Sequence, residues 1–197
     1  MNPLPLLLAA AVAIVAQPAA PQPAVIRGVV ASLKPGQVTV RPRTGKPIVV
    51  DLTPDWAVQV TKPISVTEIK PGSFIGTTEM PKSETTGRSL EVHVFPPGVK
   101  VGEGHYGWNL RKGSMMTNGT VGQVTVGPKG RELQISYPTG QRKVVVPPNV
   151  PVVQITGGDR SMIKTGVQVF LLAFPKPGGG QITGALAIGE NGAKPPM

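Results

Sequence analysis

The chain has 197 residues, among them 25 Gly, 23 Pro and no Cys, and its 20 Lys and Arg against 10 Asp and Glu give a net charge of +10. So much Gly and Pro leaves little room for long helices and suits short strands joined by tight turns. The missing cysteine excludes structural disulfides, thiolate metal sites and a lipidated N-terminal cysteine; the charge favours anionic partners, with solvated charges serving solubility as the plain alternative.

Residues 1–24 carry no charged side chain, and Leu6 to Ala16 form an apolar run of eleven residues ending in small side chains. A membrane-crossing helix needs about 20 residues, so this run reads as a signal peptide followed by a disordered Pro/Ala/Gln leader through residue 24. The next most apolar stretch, Val167 to Phe174, has eight residues and includes Gln168. The expectation is an exported protein, periplasmic or secreted, with no transmembrane span after cleavage between Gln17 and Val25.

An internal repeat organises the remainder. RGVV (27–30), PIVVDL (47–52), VQVT (58–61), IKPG (69–72), SFIGTTE (73–79) and SLEVHVF (89–95) return as NGTV (118–121), KVVVP (143–147), VQIT (153–156), IKTG (163–166), VQVFLLAF (167–174) and ITGALAI (182–188), at offsets of 91 to 95 positions. An ordered series of that kind marks a duplicated unit. Each unit holds period-2 segments that put Val38 and Val40 on one face and Thr39 and Arg41 on the other.

Strands so short must close or pair to hide their edges. The predicted fold is therefore all-β: two tandem, small, OB-like, partly open barrels at 25–97 and 118–190, joined by an irregular connector at 98–117, with a disordered tail at 191–197. Ser65–Ile69 and Asp159–Ile163 read as short helical turns with capping residues at their starts, ended by Gly72 and Gly166 in the φ > 0 conformation. The Gly-x-Val first strand, the Thr-Gly hairpin, the Lys-x-Gly turn, GEGH (102–105) with Trp108, and SMMTNGTV (114–121) together resemble uncharacterised bacterial exported proteins built of small β-barrel domains. That resemblance implies the fold over roughly residues 25–197 and no particular activity. Some members carry a metal transporter permease label, which does not suit a chain without a transmembrane bundle.

Catalytic patterns fare poorly. Ser161-x-x-Lys164 and Lys164-Thr165-Gly166 mimic penicillin-binding motifs, but those need two lysines on separate elements and here both share Lys164. His93 lies in the alternating strand LEVHVF, and the pattern predicts it on the solvated face with Glu91. A non-enzymatic protein without a cofactor is expected. The aromatic fraction of 4% is low for a base-stacking platform, and Phe74, Phe95, Phe170 and Phe174 read as core, so nucleic acid is not an expected partner.

The connector concentrates the unusual side chains. One reading folds Trp108, Leu110 and Met115 into a seam between the domains. A second makes Tyr106, Trp108, Arg111 and Lys112 a partner surface, the partner being an anionic cell-envelope component or a periplasmic protein. A third, the alternative function, is a soft-metal site of the copper type using Glu103, His105, Met115 and Met116.

Overall fold

The computed structural model describes residues 23–192 and Pro195. The signal-peptide expectation thus lies outside the described residues, apart from its last two positions. There the expectation of a disordered leader needs correction, because Ala24 already pairs with Ala173 in the first strand.

The chain is all-β. Its strands are β1 (Ala24–Lys34), β2 (Gln37–Pro42), β3 (Ile48–Pro63), β4 (Phe74–Pro81), β5 (Thr86–Val94), β6 (Gly104–Gly107), β7 (Met115–Gly127), β8 (Gly130–Tyr137), β9 (Gly140–Val146), β10 (Val152–Gly158), β11 (Gln168–Pro175) and β12 (Gln181–Gly189). Three 3-10 turns, Val66–Glu68, Arg160–Met162 and Glu190–Gly192, accompany them. The last occupies the start of the expected disordered tail.

Strand pairing closes two five-stranded rings. In the first barrel β1 pairs with β2 and β11, β2 with β3, β11 with β12, and β3 closes the ring against β12 in parallel. In the second β4 pairs with β5 and β7, β7 with β8, β8 with β9, and β5 closes the ring against β9 in parallel. Each ring therefore combines three strands of one repeat with the last two of the other. The expected contiguous barrels at 25–97 and 118–190 are corrected accordingly: the second barrel is the continuous stretch 74–146, and the first is assembled from the two ends of the described chain. Neither ring is left open as expected.

The physical reason is the length of β3. At about 3.3 Å per residue its 16 residues outrun β2, so its second half closes the ring against β12 along one edge and, along the edge that β2 has vacated, meets β10 across the seam. There Val58 pairs with Gly158 and Pro63 with Val153. Val58 and Val153 are repeat equivalents, so this antiparallel pair is one motif meeting its own copy about a pseudo-two-fold axis. The chain then emerges on the far side and delivers β4 and β5 to the other ring.

Alternation fills each barrel. Val30, Val38, Val40, Val50, Leu171 and Leu186 are among the buried cluster of the first, and Ile75, Val92, Leu133, Ile135 and Val144 of the second. Each exchanged hairpin is preceded by a capped turn whose last apolar residue plugs its new barrel: Ile69 joins the second cluster and Ile163 the first. Ser65 and Glu68 form a capping box, and the Asp159 side chain accepts from the Ser161 N–H. Gly72 and Gly166 then take φ of 88° and 93°, as expected. Their N–H groups donate to Val121 O and Val30 O, which are themselves repeat equivalents. The connector is less irregular than expected, since β6 pairs with β7 from Gly104↔Asn118 to Gly107↔Met115.

Candidate functional site

Where the outer faces of the two barrels meet, under β6, the structure leaves a cleft of about 350 Å³. Its presence follows from strand pattern. Along β11, Val169, Leu171 and Ala173 point into the first barrel, so Phe170, Leu172 and Phe174 point out of it and line the cleft. From the other side Phe95 and Met116 face them, and Tyr106 and Trp108 close over from the connector. Polar groups are few: Gln59, His93, Asn118 and Thr183.

The connector is braced for this role. Asn118 Nδ2 donates to Tyr106 Oη and to Gly102 O, both at 2.9 Å, and Tyr106 Oη donates to Gly102 O at 3.2 Å. Burial raises the Tyr106 phenol above its ordinary pKa. The Trp108 ring meets Tyr106 edge-on at 6.4 Å. Its chain turns back through Ser114, whose hydroxyl donates to Trp108 O and Arg111 O. Trp108 Nε1 is buried with no hydrogen-bond acceptor among the described residues.

These placements divide the residues expected to act together. Tyr106 and Trp108 line the cleft, as the seam reading required of the tryptophan, whereas Arg111 and Lys112 stand exposed on the turn beyond it. Leu110 and Met115, also assigned to the seam, are half-buried and do not line the cleft. The proposed metal ligands are separated by pairing register. Tyr106 stands opposite Met116 and His105 opposite Thr117, so Met116 and His105 occupy opposite faces of the β6–β7 ribbon. Met115 lies on the His105 face, and Glu103 is exposed. Among the described residues no three His, Asp or Glu side chains are grouped to hold a metal ion.

On its own face His105 belongs to a buried polar cluster. Its Nδ1 bonds Thr117 Oγ1 at 2.8 Å, lies 3.8 Å from Glu79 Oε1, and its ring stacks on Tyr137. Glu79 is fully buried and paired with Arg142, whose remaining N–H groups donate to the carbonyls of Ser83, Glu84 and Thr86. Burial raises the Glu79 carboxyl, with Arg142 opposing. Burial, and then the charge of Arg142, lowers the His105 imidazole.

His93 and Glu91 correct the expectation of a solvated pair. Both are buried, with His93 Nε2 4.0 Å from Glu91 Oε1. Alternation did put them opposite inward-facing Val92, but the outer face of β5 is covered by the other barrel. Of the phenylalanines expected in the core, Phe74 and Phe170 are buried, though outside the two barrel interiors; the other two need correction, since Phe95 is half-buried and Phe174 is 46% exposed at the cleft. A signal for them existed in FLLAF, apolar at odd and even positions alike, the pattern of a strand covered on both faces. Comparison with known proteins finds no matching family model, no matching curated protein and no matching solved structure.

Proposed function

We propose that the protein is a non-enzymatic, exported binding protein that receives the apolar part of an anionic envelope component in the cleft between its barrels. The observation that carries this reading is the cleft itself: about 350 Å³, aromatic-walled, with a few polar groups. Small-molecule sites have that composition and volumes of roughly 300–1,000 Å³. The buried, unpartnered Trp108 N–H supports a ligand bearing a hydrogen-bond acceptor, since a buried donor left alone is costly. Export rests on the Leu6–Ala16 run, and the preference for anions on the net charge of +10. The parallel closing pair of each ring and the capped turn ahead of each exchanged hairpin support an OB-like reading of the barrels, in keeping with the resemblance to exported β-barrel proteins.

Anilinonaphthalene sulfonate, an apolar ring system with one negative charge, tests the cleft directly. Saturable uptake by the folded protein is expected, weakened by salt and abolished in Phe174→Asp. No uptake, or equal uptake by that variant, overturns the reading.

A further inference from the structure

Phe170 has a second cavity beside it. At the ends of β1, β2 and β11 a pocket of about 540 Å³ is lined by Phe170, Pro195 and the arginines Arg27, Arg41 and Arg43, with Glu91 acting on Arg27 from outside the lining. Arg41 and Arg43 are exposed. Arg27 ties this pocket to the cleft: its guanidinium lies 5.4 Å from the centre of the Phe170 ring, and its Nη1 donates to Oδ1 of Asn109, the neighbour of Trp108. The apolar cleft and the arginine pocket thus share one aromatic wall, Phe170, and Arg27 lies against that wall on the pocket side.

We infer that the two form a single site for a monomeric anionic amphiphile, with its acyl chain in the cleft and a carboxylate or phosphate head at the arginines. This rests on the cleft being a binding site and names what fills it. A flexible alkyl chain makes no hydrogen-bond demand on walls that offer few partners. Guanidinium groups present N–H donors in the planar fork that carboxylates and phosphates accept in pairs. The occupant is a single molecule rather than a bilayer surface, because Phe170 and Met116 are buried and cannot insert into a membrane.

Isothermal titration with octanoate, decanoate, decyl phosphate and 1-decanol, below their aggregation limits, tests the assignment. Decanoate and decyl phosphate should each bind on the order of tenfold tighter than 1-decanol at low salt. Affinity should rise about fourfold for each methylene added between octanoate and decanoate. Arg41→Gln/Arg43→Gln should bring decanoate down to the affinity of decanol without shifting the thermal midpoint, and Phe174→Asp should lose both ligands. Equal binding of decanoate and decanol, or an unchanged double variant, overturns the amphiphile and leaves the cleft standing. The amphiphile is likewise overturned if the dye is taken up and no alkyl compound is, or if sedimentation with phosphatidylglycerol vesicles is undiminished by decanoate. Failure of both dye and alkyl compounds takes down the cleft reading as well.

Discussion

The two barrels share a strand plan and differ in what fills and fastens them. The first buries a cluster of fifteen apolar residues, Trp56 among them, and its charged pair, Asp51 with Lys176, sits half-exposed at the rim. The second buries nine, with the polar Thr77, Thr78, Glu79, Ser89, Thr117 and Arg142 also out of solvent. Its exchanged hairpin is held through Arg142, which reaches Glu79 and three carbonyls around the β4–β5 turn. Gly87 leaves room for this arrangement, since a Cβ there would fall 2.1 Å from Glu79 Oε2. One barrel is thus fastened by apolar area, the other by a buried polar network centred on Arg142 and Glu79. The two should fail under different substitutions.

Arg142→Met should break the comparison most sharply. It strands a buried carboxylate, a loss of about 3–5 kcal/mol, and hydrogen exchange should show the amides of β4 and β5 deprotected well before those of β11 and β12. Equal deprotection of both hairpins would mean that the pair does not hold the exchange. Trp108→Ala tests what the barrels have in common. The indole is half-buried over the cleft, so about 2 kcal/mol should disappear from denaturant unfolding, below the 3–5 of a fully buried aromatic.

Where the barrels are equivalent they should respond alike. Gly72→Val and Gly166→Val meet open space but force a β-branched residue to positive φ, and each should cost about 1–2 kcal/mol. A neutral result at both positions would show that neither turn is strained. Lys176→Met, the counterpart of Arg142→Met in the first barrel, should shift the unfolding midpoint by no more than its scatter, because solvent screens the pair.

Smallest is a pH effect confined to the second barrel. Burial lowers the His105 imidazole in the fold, so as pH falls through the ordinary histidine range the unfolded chain takes up the proton more readily than the native one. Stability from this group is therefore complete above that range and declines below it, with a slope smaller than that of one titrating proton. Glu79, raised by burial, acts in the opposite sense from the carboxylate range upward, so the difference between wild type and His105→Gln isolates the imidazole. Parallel curves for the two proteins would dismiss it.

Much of this is legible in the residues. Val38 and Val40 alternate inward, Ser65 and Asp159 cap their turns, and Gly72 and Gly166 take positive φ. All of these are local. Which ring receives β4 and β5 is not legible, because either repeat offers them an equivalent β7-like or β1-like edge. The choice depends on β3 continuing as one strand through Thr53-Pro54-Asp55, where its pairing with β12 shifts register, while Pro147, Pro148 and Pro151 interrupt the same place in the other repeat. The cleft is half legible. The connector's composition brings Trp108 to a seam, but strand pattern alone consigns Phe95, Phe170 and Phe174 to interiors and His93 to solvent. Alternation reports which face a side chain takes and says nothing of what covers the outer one.

The exchange also sets an order of events. Every strand of the second barrel lies within one unbroken stretch, so that ring can close as soon as β9 exists. The first cannot: the hydroxyl of Thr61 bonds the carbonyl of Ile188 across 127 positions of chain. Its opening meander has to wait, unsealed along two edges, until the final hairpin is available, and closing so long a loop is slow. During synthesis β1, β2 and β3 are therefore the last of the described strands to become native, although they precede all the others in the chain.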